Sequence, residues 1–192
     1  MTPRTGGRAG WLGTASLVLA AALVLAPGIA AGSADTAAQD VADVKAAFVY
    51  NFAKFTEWPA LPPGAPIAVC VAGSNQIAST LRETIRGRNI DGHALVVSIP
   101  QDSTTWRGCH LLFITEAEAG RAAAGLAALK RLPVLTVSDS KGFATSGGII
   151  ELYLEDGKMR FAINAEAAGV AGLRISSRLL GLARIVRGGD VE

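Results

Sequence analysis

The chain has 192 residues, which suits one domain and leaves no room for two of ordinary size. Eighteen Lys and Arg stand against 16 Asp and Glu, but Arg4 and Arg8 lie in the first 33 residues, which hold no acidic group, so the remainder is balanced. That balance excludes a global basic field of the kind that binds nucleic acid or an anionic membrane.

Arg4 and Arg8 form a basic opening, Trp11 to Ala26 is an apolar run, and Pro27-Gly28 ends it before a small-residue stretch through Ala34. This order predicts a secretory signal peptide over 1–33, cleaved between Ala31 and Ala34. The run is shorter and more interrupted than the roughly 20 apolar residues of a spanning helix. No cysteine lies near the cleavage region and no Arg-Arg pair precedes the run, which points to general secretion without lipidation. Residues 34–42 are small and polar and read as a flexible mature N-terminus. Residues 43–187 read as one α/β domain.

Val41, Val44, Phe48, Phe52 and Phe55 recur at helical spacing and predict a helix from Val41 to Trp58, with Asp40 as N-cap and Pro59 as its stop. Ile67–Ala72 reads as a buried strand and Gln76–Arg86 as a helix. Ala94–Ile99 is a second strand, followed by a polar stretch, Gln101–Gly108. Cys109–Thr115 is a third strand, Ala117–Arg131 an Ala-rich helix, and Val134–Ser138 a fourth strand. Gly147–Leu154 and the alternating Met159, Phe161 and Ile163 form a hairpin about Asp156-Gly157, a pair suited to a type I′ turn. Gly169–Val186 reads as a closing helix. Strand–helix–strand units followed by a late antiparallel hairpin predict a mixed, mostly parallel sheet of about six strands with helices on both faces.

The motifs of common catalysis are missing from the sequence: no G-x-S-x-G, no His-Glu-x-x-His, no Walker loop and no G-x-G-x-x-G after a strand. Ser138-Asp139-Ser140-Lys141 matches S-x-x-K, but its serine ends a strand and no K-T-G follows, so it reads as a turn. The segment is interesting by position, because ligands of parallel sheets sit at the strands' carboxyl ends. There, Gly142-Phe143 and Ser146–Gly148 can aim backbone N–H groups at a small anion, or can simply serve the turn.

Cys70 and Cys109 are the only cysteines. A disulfide is the default in an exported protein, two buried thiols are the alternative, and no ligand spacing supports a metal with His93 or His110. Tyr50 and Trp58 lie off the helix's apolar stripe and can line a pocket or anchor a partner. Arg174, Ser177, Arg178 and Arg184 share an arc of the expected closing helix, as an anion face or a solvated one.

Val44–Pro59 resembles the opening signature of the YfiR family. Val134–Asp139, Gly142–Ala144, Gly147–Ile150, Arg160–Asn164 and Leu173–Ala183 resemble its later motifs in the same order. The resemblance spans residues 40 to 186. It implies a periplasmic α/β domain without known catalysis that represses an inner-membrane diguanylate cyclase by binding its periplasmic sensor domain. Cyclic di-GMP then sets biofilm and motility. It also implies that cysteine redox state bears on the role, with Cys70 and Cys109 resembling the family's core pair. A second pair found near the hairpin in some relatives is missing from this sequence.

The expected function is therefore a non-enzymatic periplasmic regulator with no cofactor, no metal and no nucleic acid. The alternative is a periplasmic small-ligand-binding component with its pocket at the Ser138–Gly148 loops. Candidate partner- or ligand-binding residues are Tyr50, Asn51, Trp58, Asp139, Gly142, Phe143, Arg174, Ser176 and Ser177. A homodimer is also allowed by an exposed hairpin or aromatic face.

Overall fold

A computed structural model describes residues 32–59 and 61–189. The expected leader up to Ala31 lies outside the described residues. The first helix, α1 (Gly32–Lys54), leads into a short strand, β1 (Thr56–Glu57). Then come β2 (Ile67–Ala72), α2 (Asn75–Ile85), β3 (Asn89–Ile90) and β4 (His93–Ser98). A 3-10 turn, η1 (Ser103–Gly108), precedes β5 (Leu111–Ile114), α3 (Glu116–Ala119) and α4 (Ala123–Leu129). The chain continues through β6 (Leu135–Ser138), β7 (Ile150–Glu155), β8 (Lys158–Asn164) and α5 (Ala165–Val170). It closes with β9 (Arg174–Ile175), α6 (Ser177–Leu180) and β10 (Arg184–Val186).

The main sheet has eight strands among the described residues, in the order β10-β8-β7-β6-β5-β2-β4-β3. Neighbours pair in parallel except β7 with β8 and β3 with β4. The expected mixed, mostly parallel sheet is present, with two more strands than the sequence pattern predicts.

Strand alternation decides the layers. Odd-numbered side chains such as Val69, Leu111, Phe113, Leu135, Val137 and Ile163 join α1, α2 and α5 in one core. Even-numbered Cys70, Ala72, Leu112 and Ile114 meet Trp106, Leu129 and Phe143 in a second. Strands buried on both faces read as continuous apolar runs, which is why β2 and β5 are evident from sequence.

The hairpin forms as expected: Leu152 opposes Phe161 and Leu154 opposes Met159, with Asp156 and Gly157 both at positive φ. A second turn of the same chemistry, Asp91-Gly92, joins β3 to β4 and is an addition to the expected elements.

Five expectations are corrected. Residues 34–42 are helical, so Asp40 lies inside α1 and is not its cap. The buried stripe is Ala42, Ala46, Val49, Phe52 and Ala53, while Val41 and Val44 face outward at 40% and 42% exposure. Small alanines let α1 lie close to its neighbours, and a reading weighted by side-chain size selects the wrong edge. The helix also stops at Lys54, because Thr56–Glu57 is captured by β9. The Ala-rich helix is two pieces, α3 and α4, separated at Gly120–Ala122.

The fifth correction is the largest. Gly169–Val186 is no single helix. Gly172 at φ +73 ends the turn after α5, β9 pairs with β1, Ser176 caps α6, and β10 adds to the sheet beside β8. The supposed arc of Arg174, Ser177, Arg178 and Arg184 therefore does not exist as a helix face.

Phe52 is fully buried, with ring centroids 5.1 Å from Phe161 and 5.8 Å from Phe48. Phe52→Ala leaves a cavity between α1 and the sheet and is expected to cost about 3–5 kcal/mol in urea unfolding. A loss under about 1 kcal/mol would contradict this packing.

Candidate functional site

The expected site residues fall into two groups at opposite ends of the parallel strands. Asp139, Gly142 and Phe143 follow the carboxyl end of β6. Trp58, Arg174 and Ser176 gather near the amino end of β5. Tyr50 and Asn51 belong to neither group. Tyr50 is half-buried under the Arg88 guanidinium at 4.9 Å, and exposed Asn51 donates to the Ala47 carbonyl at 2.9 Å.

At the carboxyl end two carboxylates organise the loop between β6 and β7. Asp139 accepts from the Glu116 backbone N–H at 2.6 Å through Oδ1 and pairs with Lys45 Nζ at 2.5 Å through Oδ2. The pair ties α1 to the end of β6 and is largely shielded, with 18% and 14% of the two side chains exposed. Glu151 is buried at 3% exposure. Its Oε1 accepts from Gly142 N–H at 3.1 Å and its Oε2 from Ala144 N–H at 3.2 Å. A buried carboxylate needs such donors to offset lost hydration.

The remaining loop groups are also taken. Ser146 and Gly148 donate to the Gly142 and Phe143 carbonyls, and Ser138 Oγ accepts from Ser140 N–H. Phe143 is buried, and its ring fills the space that a Cβ on Gly148 would need. The expected anion cradle is therefore not formed: its N–H donors already serve the protein's own carboxylate and carbonyls. The loop is a clamp, and a cavity of about 400 Å³ beside it carries Asp139, Lys141 and Glu151.

At the other end His110 lies just before β5. Its backbone N–H donates to the Ala68 carbonyl at 2.8 Å, and its Nδ1 accepts from the Ala68 N–H at 3.0 Å. The imidazole supplies the acceptor that a backbone carbonyl would give had β5 begun earlier. That role requires a ring with Nδ1 unprotonated. Burial, the larger cause, and the neighbouring charge of His93 both hold the His110 pKa below its ordinary 6.5.

The His110 carbonyl accepts from Trp58 Nε1 at 3.0 Å, and the two rings meet edge to face at 6.2 Å. Next to Trp58, the β1–β9 pair makes a clasp. Arg174 places Nε and Nη2 on Glu57 Oε2 at 3.0 and 2.7 Å, in a solvent-exposed pair. Ser176 donates its N–H to the Phe55 carbonyl at 2.9 Å and accepts from Leu179 N–H through its hydroxyl. Ser177 is exposed on the first turn of α6. The Arg178 guanidinium lies over the Phe55 ring at 6.0 Å.

The disulfide joins Cys70 in β2 to Cys109, whose next residue is His110. The bridge spans 39 residues in sequence, and closing such a loop in the unfolded chain contributes about 4 kcal/mol on chain-entropy grounds.

Sequence reasoning singles out none of Lys45, Glu57, Glu116 and Glu151 and gives His110 no role. Only Glu151 leaves a signal, an acid between Ile150 and Leu152 at a position buried like its neighbours.

A family model described as YfiR/HmsC-like matches residues 42–184. No curated protein matches the chain.

Glu151→Gln keeps the shape but turns one acceptor into a donor facing an N–H. The expected result is a loss of about 1–3 kcal/mol, with amide exchange accelerated at Gly142 and Ala144. Unchanged exchange there would refute the clamp.

His110 makes stability fall in acid. The unfolded chain protonates this group where the folded chain holds it neutral. Its contribution is intact above pH 6.5, declines below it, and levels once the folded group also protonates. Urea midpoints measured between pH 7.5 and 5 should fall less steeply in His110→Gln than in the parent. Parallel curves would exclude His110 as the cause.

Proposed function

This chain belongs to the YfiR/HmsC-like family, and on that premise we propose that it is a periplasmic regulator without enzymatic activity. It binds the periplasmic sensor domain of an inner-membrane diguanylate cyclase and represses it, lowering cyclic di-GMP. The single observation that carries this reading is the family match across the whole α/β domain, residues 42–184. Two structural features are consistent with it. The disulfide suits an oxidising compartment. Among the described residues no helix is long and apolar enough to cross a membrane.

A protein outside the cytoplasm changes a cytoplasmic activity only by binding two states of a membrane protein unequally. Moving such a partner from nearly all active to nearly all inactive takes roughly a 10⁴-fold preference for the inactive state. That demands a fixed surface with a few strong anchors. The β1–β9 clasp supplies one: half-buried Trp58, the exposed Arg174–Glu57 pair, and Arg178 over Phe55. The clasp is coupled to the disulfide by proximity in the chain. Cys109 precedes His110, and the His110 carbonyl holds the Trp58 indole. Reduction of the bridge frees the segment that positions the anchor.

The test is recovery of membrane proteins on C-terminally tagged chain exported through its own leader. Under oxidising conditions the bait should retain an inner-membrane protein with a cyclase domain, and reduction should lower its recovery. Trp58→Ala and Arg174→Ala, each folded, should cut recovery at least about tenfold, as expected for anchor residues. Recovery unchanged by either substitution would remove the clasp from the interface. No cyclase in any condition would overturn the repressor reading.

A further inference from the structure

His110 holds the Trp58 indole in two ways, through its carbonyl and through its ring. The carbonyl accepts from Trp58 Nε1 at 3.0 Å and from the Leu135 N–H at 2.8 Å, so two donors fix it whatever the state of the imidazole. The ring meets the indole edge to face at 6.2 Å. What fixes the ring is the bond from the Ala68 N–H to Nδ1, at 3.0 Å. That bond exists only while Nδ1 carries no proton.

The second histidine of the mature chain shows the contrast. His93 Nδ1 lies 2.7 Å from the Ala65 carbonyl, an acceptor, so a protonated His93 keeps its contact. A protonated His110 loses its own. The elements beside His110 bring few charges to it. β4 carries His93, η1 carries Arg107, Arg131 precedes β6, Glu57 and Arg174 belong to the clasp, and β2 has none. Arg107 and Arg131 are exposed, and Glu57 and Arg174 engage each other. Among the described residues no carboxylate pairs with the ring to hold its charged form. Burial first, and then the charge of His93, keep the ring neutral until the pH falls below 6.5. The ring is only half-buried, so solvent protons reach it.

We propose that the His110 imidazole is a positioning residue for the Trp58 anchor, and that its protonation releases the membrane partner in acid. The inference rests on the repressor reading above and adds its regulation. With a proton on Nδ1, the ring and the Ala68 N–H face each other donor to donor. The ring turns away, and Trp58 loses its edge-to-face neighbour while keeping its bond to the carbonyl. The indole then takes more than one orientation, and an anchor that must be ordered on binding binds more weakly.

The positioning role is tested on the exported chain alone. The Trp58 indole N–H resonance, assigned by its loss in Trp58→Phe, is followed from pH 7.5 to 5, with buried Trp106 as the reference. It should shift together with the His110 imidazole resonances, at a shared midpoint below 6.5. In His110→Gln the amide oxygen accepts from the Ala68 N–H without titrating, and the Trp58 resonance should stay still. His93→Gln should raise the midpoint and keep the shift. A Trp58 resonance that is still while the parent's imidazole titrates, that moves at a different midpoint, or that moves equally in His110→Gln would overturn the proposal. Recovery of the membrane partner on tagged chain should fall about three- to tenfold between pH 7.5 and 5, the worth of one aromatic contact. It should stay level in His110→Gln. Recovery in the parent that ignores pH would refute the regulation. Failure to recover a cyclase at either pH would overturn the repressor reading instead, and the Trp58 spectrum would still decide the role of His110.

Discussion

The fold depends on burying the central strands from both sides. β2 and β5 carry apolar groups on both faces, and each face has its own core; β6 and β7 give apolar groups to the first core alone and turn buried Thr136, Ser138 and Glu151 to the other face. The centres of β2 and β5 are closed to solvent on both faces, and the polar groups of the candidate site lie toward the ends of the strands. These groups are distributed unevenly. Glu151 and Asp139 occupy the carboxyl ends, and His110 with Trp58 the amino ends.

The two ends solve their polar groups differently. At the carboxyl end a buried carboxylate absorbs the loop's free N–H donors, and a shielded Lys45–Asp139 pair fixes the loop to α1. This end is closed on itself and serves to hold β6, β7 and α1 in register. At the amino end the bond to the His110 carbonyl holds the half-buried Trp58 ring beside the exposed Arg174–Glu57 pair. One end therefore consumes its polar groups in stability, and the other presents them. The disulfide sits beside the presenting end, which makes its redox state a local matter for that surface and a remote one for the loop clamp.

Much of this is legible in the residues, for identifiable reasons. Strands buried on both faces are apolar without interruption, and the Asp156-Gly157 turn carries its own backbone signature. The motifs shared with the YfiR family place Trp58, Arg174 and Ser176 among the candidates, and the fold gathers all three at one clasp. The disulfide partners are also evident, since only two cysteines exist. The segment after Gly169 is illegible because its apolar residues keep helical spacing. Only tertiary pairing of Arg174–Ile175 with Thr56–Glu57 converts part of it to strand. The alanine face of α1 escapes notice because small side chains carry little hydrophobic signal yet pack closest. Lys45 and His110 act through partners 94 and 42 residues away in sequence, and no local pattern announces such contacts.

Under the proposed repressor function the clasp end, and not the loop end, faces the membrane partner. The most direct test is photocrosslinking in living cells with a benzophenone amino acid placed at Trp58 or, separately, at Lys141 beside the loop clamp. A crosslink to an inner-membrane cyclase is expected from position 58 and none from position 141. A crosslink from position 141 alone would place the partner at the opposite end of the sheet and contradict it.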